Sequence, residues 1–168
     1  MSKQKHTYFG RLYFVIPFIL QKLVIPPLKI IFLFFLRWEI RGYENVRDLN
    51  GGAIFAANHI SELDAPLIPV ALPFFSFLTP LFFISRSTKF YDRSGWRGRF
   101  YGGKLFAWWG AFPVHSGHKN YRFSLQTHLQ ILADNRSLCI FPEGVRTQTG
   151  EMNKPHGGVA FLSHASGK

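Results

Sequence analysis

The chain has 168 residues, enough for one domain with a real core. Twenty basic against nine acidic residues leave a net charge of +11, so its partner is a polyanion: nucleic acid, an anionic membrane surface or a phosphorylated substrate. Nineteen Phe, four Trp and six Tyr, many in one N-terminal stretch, favour the membrane surface over nucleic acid, and a lone cysteine, Cys139, excludes an intramolecular disulfide.

Residues 12–36 are strongly apolar but are interrupted by Gln21-Lys22, Pro26-Pro27 and Lys29. A spanning helix needs about 20 apolar residues to cross a hydrocarbon core of about 30 Å, and neither uninterrupted piece is that long. No small-residue cleavage pattern follows, which speaks against a signal peptide. Lys3, Lys5 and Arg11 before the stretch, and Arg37 and Arg41 after it, place both ends on the cytoplasmic face. The expectation is two short helices meeting near the prolines, entering one leaflet and returning. A single kinked span, or a kinked helix in the protein core, is the alternative.

From about residue 38 the pattern is α/β, predicting a mixed sheet flanked by helices behind a short helical membrane anchor. EIRGYENV predicts a strand leading to a turn, and GGAIFAAN a strand buried on both faces. DAPLIPVAL predicts a helix starting near Asp64, because Pro66 is tolerated only in a first turn. LFFIS and GAFPV predict strands, and the Gly- and Arg-rich stretch at 92–104 a mobile loop. Apolar spacing at Phe123, Leu125, Leu129 and Leu132 predicts a helix from about Tyr121 to Asp134, and SLCIF a strand ending in Pro-Glu-Gly. Cys139 within it reads as a small buried hydrophobe.

His59 and Asp64 are candidates for a general base and the carboxylate that orients it. Five residues of helix leave two side chains about 140° apart, so the pair meets only if His59 lies ahead of the helix, in the loop where α/β sheets bind substrates. The alternative is structural: Asp64 as an N-cap or as part of a Ser61–Asp64 capping box. Downstream, FPEGVRTQTG presents Glu143, Gly144 and Arg146 on a tight loop, where glycine allows close approach and arginine matches a phosphate. Its structural alternative is an ordinary turn with a surface ion pair.

Together these stretches resemble the glycerolipid acyltransferase family, which includes the bacterial lysophosphatidic acid acyltransferases. Its N-H-x4-D hallmark is matched by Asn58, His59 and Asp64, and its F-P-E-G-T-R-S hallmark by Phe141, Pro142, Glu143, Gly144 and Arg146, with Val145 and Thr147 departing. The two lie about eighty residues apart, and the resemblance covers roughly 37–168. The intervening G-x-x-P/F-V/I-x-R motif is met by Gly110, Pro113 and Val114, but Ser116 stands in the arginine's place, with His118 or Lys119 as substitutes; Arg86 is similar to the family's lysine after a strand. Members continue past the segment matching GGVAFLSHASGK into a strand with a V-P-V-like motif. The resemblance therefore implies a C-terminally truncated acyltransferase domain at 38–168 behind membrane-associating helices at 1–37.

The resemblance implies acyl transfer from acyl-CoA or acyl carrier protein to a lysophospholipid hydroxyl, with 1-acylglycerol-3-phosphate giving phosphatidic acid. His59 and Asp64 would form the catalytic pair; Arg146 and Arg86 would hold the phosphate, and Glu143 would bond the acceptor or lock its loop. No metal or cofactor is implied, since a thioester is already activated. The partners are anionic membrane lipid, the lysophospholipid and the acyl carrier, not nucleic acid, at the cytoplasmic face of the inner membrane. The rivals are an acyltransferase for another lysolipid or an amino-lipid, a non-catalytic membrane-binding module, and nucleic-acid binding through GWRGRFYGGK.

Overall fold

The computed structural model describes residues 13–86, 104–115 and 120–168. The expected loop at 92–104, all but Lys104, lies outside these residues, as do Ser116, His118 and Lys119. The elements run α1 (Val15–Phe35), a 3-10 turn (Tyr43–Asn45), β1 (Ile54–Ala56), α2 (Asp64–Ala71), β2 (Phe82–Ser85), α3 (Lys104–Trp109), β3 (Ala111–Pro113), α4 (Tyr121–Ser124), α5 (Gln126–Ala133), β4 (Leu138–Ile140) and α6 (Gly158–Ser166).

The strands form one sheet in the order β1-β4-β2-β3. The class is α/β with flanking helices, as expected. Within it the described pairings are all parallel, refining the expected mixed sheet. Helical crossovers between successive strands impose this, returning the chain to the same end of the sheet before each strand. Parallel strands covered on both faces read as unbroken apolar runs, and β4 is buried at all three residues. Leu138 and Ile140 pack with Phe82, Ile131, Leu132 and Leu162 beneath α5 and α6, while Cys139 faces the opposite layer with Leu81 and Phe83, near Ile68 and Trp109. Burial pushes the Cys139 thiol up to about 12, so it behaves as the small hydrophobe its setting predicts.

Three expectations are corrected. EIRGYENV forms no strand: residues 39–42 are irregular and lead into the 3-10 turn, entered through Gly42 at φ 78°. A strand needs a ladder partner, and no described strand pairs there. Residues 121–133 are two helices divided at Leu125 (φ −113°, ψ 15°), with the first capped by Asn120, whose side-chain oxygen accepts from the N–H groups of Arg122 and Phe123 at 2.9 and 3.4 Å.

The third correction is the N-terminal pair of helices. α1 is one helix of 21 residues with Pro26 and Pro27 inside it. The prolines remove two amide donors, but Ile25, Leu28 and Phe32 pack on both sides of them against Leu67, Val70 and Trp38, which holds the helix path through the break. By length and composition α1 is apolar enough to cross a membrane, a test that core helices and signal sequences also pass.

Candidate active site

β1 and β4 are neighbours in register, Ala56 opposite Ile140, and the ladder extends one step further through Ala57 N–H to Ile140 O at 3.1 Å. Continuing that register by three residues sets His59 opposite Glu143. The main-chain N–H of His59 donates to Glu143 Oε1 at 3.0 Å. β2 flanks β4 on its other side, and there Arg86 donates from Nη2 to Gly144 O at 3.3 Å. Stretches distant in sequence thus converge at the carboxyl ends of parallel strands, where such sheets place their ligand sites.

α2 begins at Asp64, which leaves His59 in the loop ahead of it. His59 Nδ1 lies 2.8 Å from Asp64 Oδ2. The same oxygen accepts from the N–H groups of Ile60 (2.7 Å) and Ser61 (2.8 Å), while Ser61 Oγ accepts from Leu63 N–H at 3.0 Å. One carboxylate thus serves the His59 ring and two loop amides, while the capping box is not completed: the N-cap is Leu63, without a side-chain cap bond, and Asp64 N–H goes to the main-chain oxygen of Ser61. Partial burial raises the Asp64 carboxyl, but the bonds from His59, Ser61 and Ile60 outweigh it and hold Asp64 below its ordinary range. An ionised Asp64 only accepts, so Nδ1 carries the proton and donates, and neutral His59 keeps its lone pair on Nε2. That is the tautomer a general base needs. The imidazole stacks on Phe141, ring centroids 4.2 Å apart and 13° from parallel, which fixes its plane.

Glu143 is only 3% exposed, and both of its oxygens meet protein donors. Oε2 accepts from the N–H of Asn153 at 2.8 Å and its Nδ2 at 3.1 Å; Oε1 takes the His59 N–H. The main-chain bonds from Asn153 and His59 hold its carboxyl below the usual range. A further bond, Thr147 N–H to His59 O at 2.9 Å, ties the two loops together again. Gly144 has φ 67°, a left-handed conformation, and a Cβ there would meet the His156 ring at 3.3 Å. Arg146, half exposed, pairs with Glu62.

His59, Arg86, Gly144 and Arg146 line one open cleft of about 1630 Å³. Leu20, Val24 and Leu28 of α1 form an apolar wall of the same cleft, joined by Phe106 and Trp109 of α3. It thus offers a basic, polar end at the strand termini and an apolar flank large enough for a hydrocarbon chain.

Asn153, Phe141 as a stacking partner, and Glu62 as the partner of Arg146 were not singled out from the sequence. Glu62 stands between the two motif residues His59 and Asp64, a signal that was legible; Asn153 carries none, because its role exists only once the loop closes on Glu143.

An acyltransferase family model matches residues 37–167. No curated protein and no solved structure matches the chain.

Proposed function

We propose a function from one premise: the chain belongs to the acyltransferase family. It is a membrane-associated O-acyltransferase that moves a fatty acyl group from the thioester of acyl-CoA or acyl carrier protein to the hydroxyl of a lysophospholipid. The acceptor is 1-acylglycerol-3-phosphate and the product phosphatidic acid. The observation that carries this reading is the His59–Asp64 pair at the wall of a cleft that is basic at one end and apolar along its flank.

His59 Nε2 takes the proton of the acceptor hydroxyl as its oxygen attacks the thioester carbonyl. Asp64 keeps the ring in the required tautomer and stabilises the imidazolium. Collapse of the tetrahedral adduct breaks the C–S bond, and the imidazolium returns its proton to the departing thiolate. The thioester supplies the activation, so the step balances without metal or redox chemistry.

Arg146 and Arg86 hold the phosphate, and Glu143 positions the catalytic loop through the His59 amide. Amphiphilic acceptor and product place the work at a lipid surface, the cytoplasmic face of the inner membrane, where α1 anchors the protein and its positive charge draws anionic lipid and the acyl carrier. Two observations favour a second acceptor class, another lysolipid or an amino-lipid alcohol: a carboxylate, Glu62, occupies Arg146 inside the cleft, and Ser116 stands where the family has a phosphate-binding arginine.

The test is detergent-solubilised protein with palmitoyl-CoA and lysophosphatidic acid, beside His59→Ala, following thiol release and lipid product. Phosphatidic acid made only by the unsubstituted protein supports the reading. Thiol release without it, restored to product by an amino-lipid acceptor, supports the second. Failure with every donor and acceptor overturns both.

A further inference from the structure

Gln21, in the first half of α1, is fully buried. Its Nε2 donates to the carbonyls of Leu81 (2.8 Å) and Trp109 (2.9 Å), and its Oε1 accepts from Leu81 N–H at 2.9 Å. Beyond it, Ile25, Leu28 and Phe32 pack against α2 and Trp38. α1 is therefore fastened to the domain along its length. Were it to cross a bilayer, the start of β2 and the end of α3 would be carried to hydrocarbon depth with their polar backbone, where irregular chain is not tolerated against lipid. A helix so fastened lies along the membrane plane.

Its outer face fits that orientation. At 100° per residue, Ile16, Ile19, Leu23, Ile30 and Phe34 fall within about 60° of one another, and Gln21, Ile25 and Phe32 lie roughly opposite. All five of the first group are exposed. Leu20, Val24 and Leu28, which line the cleft, fall on one flank between these faces.

On the other flank stands the loop after α2. Phe75 is 86% and Phe77 76% exposed, and Phe74 meets Phe75 edge to face at 5.0 Å. Lys22 joins this loop to α1: its ammonium bonds Phe74 O and Thr79 Oγ1 and lies 4.6 Å from the Phe74 ring and 5.6 Å from that of Phe18. Three phenylalanines on a loop that Lys22 fastens to α1, beside that helix's exposed apolar stripe and in a chain of net charge +11, match a fluid anionic lipid surface.

We propose that Phe74, Phe75 and Phe77 form a second lipid-inserting element, which together with the outer stripe of α1 holds the protein flat on an anionic bilayer with the cleft flank at the lipid surface. This rests on the membrane attachment proposed above. It gives an amphiphilic acceptor a path into the cleft that does not leave the interface.

The experiment places an environment-sensitive fluorophore at Phe77→Cys, and separately at Leu23→Cys as a reference on α1; Cys139 is buried, so the introduced thiol takes the label. Vesicles of phosphatidylcholine with phosphatidylglycerol are added. Both labels are expected to shift to the blue and to be quenched by lipids brominated near the headgroup. Phe75→Ser/Phe77→Ser is expected to weaken vesicle binding roughly tenfold or more, with an unchanged far-ultraviolet spectrum. A shift at position 23 without one at 77 overturns the loop's role and leaves the attachment reading intact. No shift at either overturns both. Quenching of the Leu23→Cys label only by deep bromines overturns the in-plane orientation. A shift at 77 that follows protein concentration without vesicles shows a second copy on the patch and overturns the lipid assignment.

Discussion

The main-chain N–H of His59 donates to Oε1 of Glu143 at 3.0 Å, across 84 residues of sequence. One motif's carboxylate therefore sets the position of the other motif's histidine, and its second oxygen is anchored on Asn153. Glu143→Gln presents an amide N–H to one of these donors whichever way it is turned. The expected result is a fall in kcat/KM of about tenfold to a hundredfold, with a lower thermal midpoint. Unchanged activity would show that this bond does not position His59.

Asp64→Asn keeps the size of the side chain, and its amide oxygen takes the place of Oδ2 where three donors converge, but it removes the charge that stabilises the imidazolium. kcat is expected to fall by about 10³ to 10⁴. Asp64→Asn in the His59→Ala background should cost little more, since the two act as a unit. Additive losses, read from the same thiol-release assay, would contradict the pairing.

Arg146 and Glu62 make opposite predictions. Arg146→Ala is expected to raise KM for lysophosphatidic acid roughly tenfold with kcat little changed, as loss of uniform binding does. Glu62→Gln releases Arg146 from its ion pair and should lower that KM a few-fold. Neither should matter for an uncharged monoacylglycerol. Equal effects on both acceptors would remove the phosphate from this end of the cleft.

His128 on α5 is fully buried; Nε2 is 3.1 Å from Phe112 O, and Nδ1 has no partner among the described residues. Burial, with a smaller contribution from His115, lowers it from 6.5 to about 4. Between those values the unfolded chain binds the extra proton, so the stability involved is fully present above pH 6.5 and is lost as pH falls to 4. At about 1.4 kcal/mol per pH unit the loss is roughly 3 kcal/mol. His128→Leu should flatten this part of the stability–pH curve, measured by denaturant unfolding. An equal slope in the variant would assign the acid sensitivity elsewhere, such as to Asp64 and Glu143, whose lowered carboxyls act at still lower pH.

Gln21→Leu would leave the Leu81 amide and two carbonyls without partners. A loss of about 3 kcal/mol or more is expected, seen as a lower unfolding midpoint. A neutral result would mean that α1 is not fastened there.

What was legible in the sequence is what short-range physics governs. The apolar runs announced all four strands, and central β4 is buried throughout because both faces of a parallel sheet are covered; β1, expected to be buried on both faces, is an edge strand and only partly buried, as is β3. The start of α2 at Asp64 followed from Pro66, and with it came the placing of His59 ahead of the helix. EIRGYENV misled because a strand's existence depends on a neighbour that no local pattern reveals. Pro26-Pro27 misled because packing against α2 holds the helix through them.

The sequence by itself determined the α/β class, the strand runs, the loop position of His59 and the residue types at the site. Tertiary structure alone decided that Glu143 holds the His59 amide, that Glu62 takes Arg146, and that one flank of α1 walls the cleft while the face opposite its docked side stays bare. Those depend on the parallel register of β1 with β4 and on the docking of α1, which are contacts between segments far apart in the chain. Such contacts form only when the buried faces are brought together, and no window of neighbouring residues encodes them.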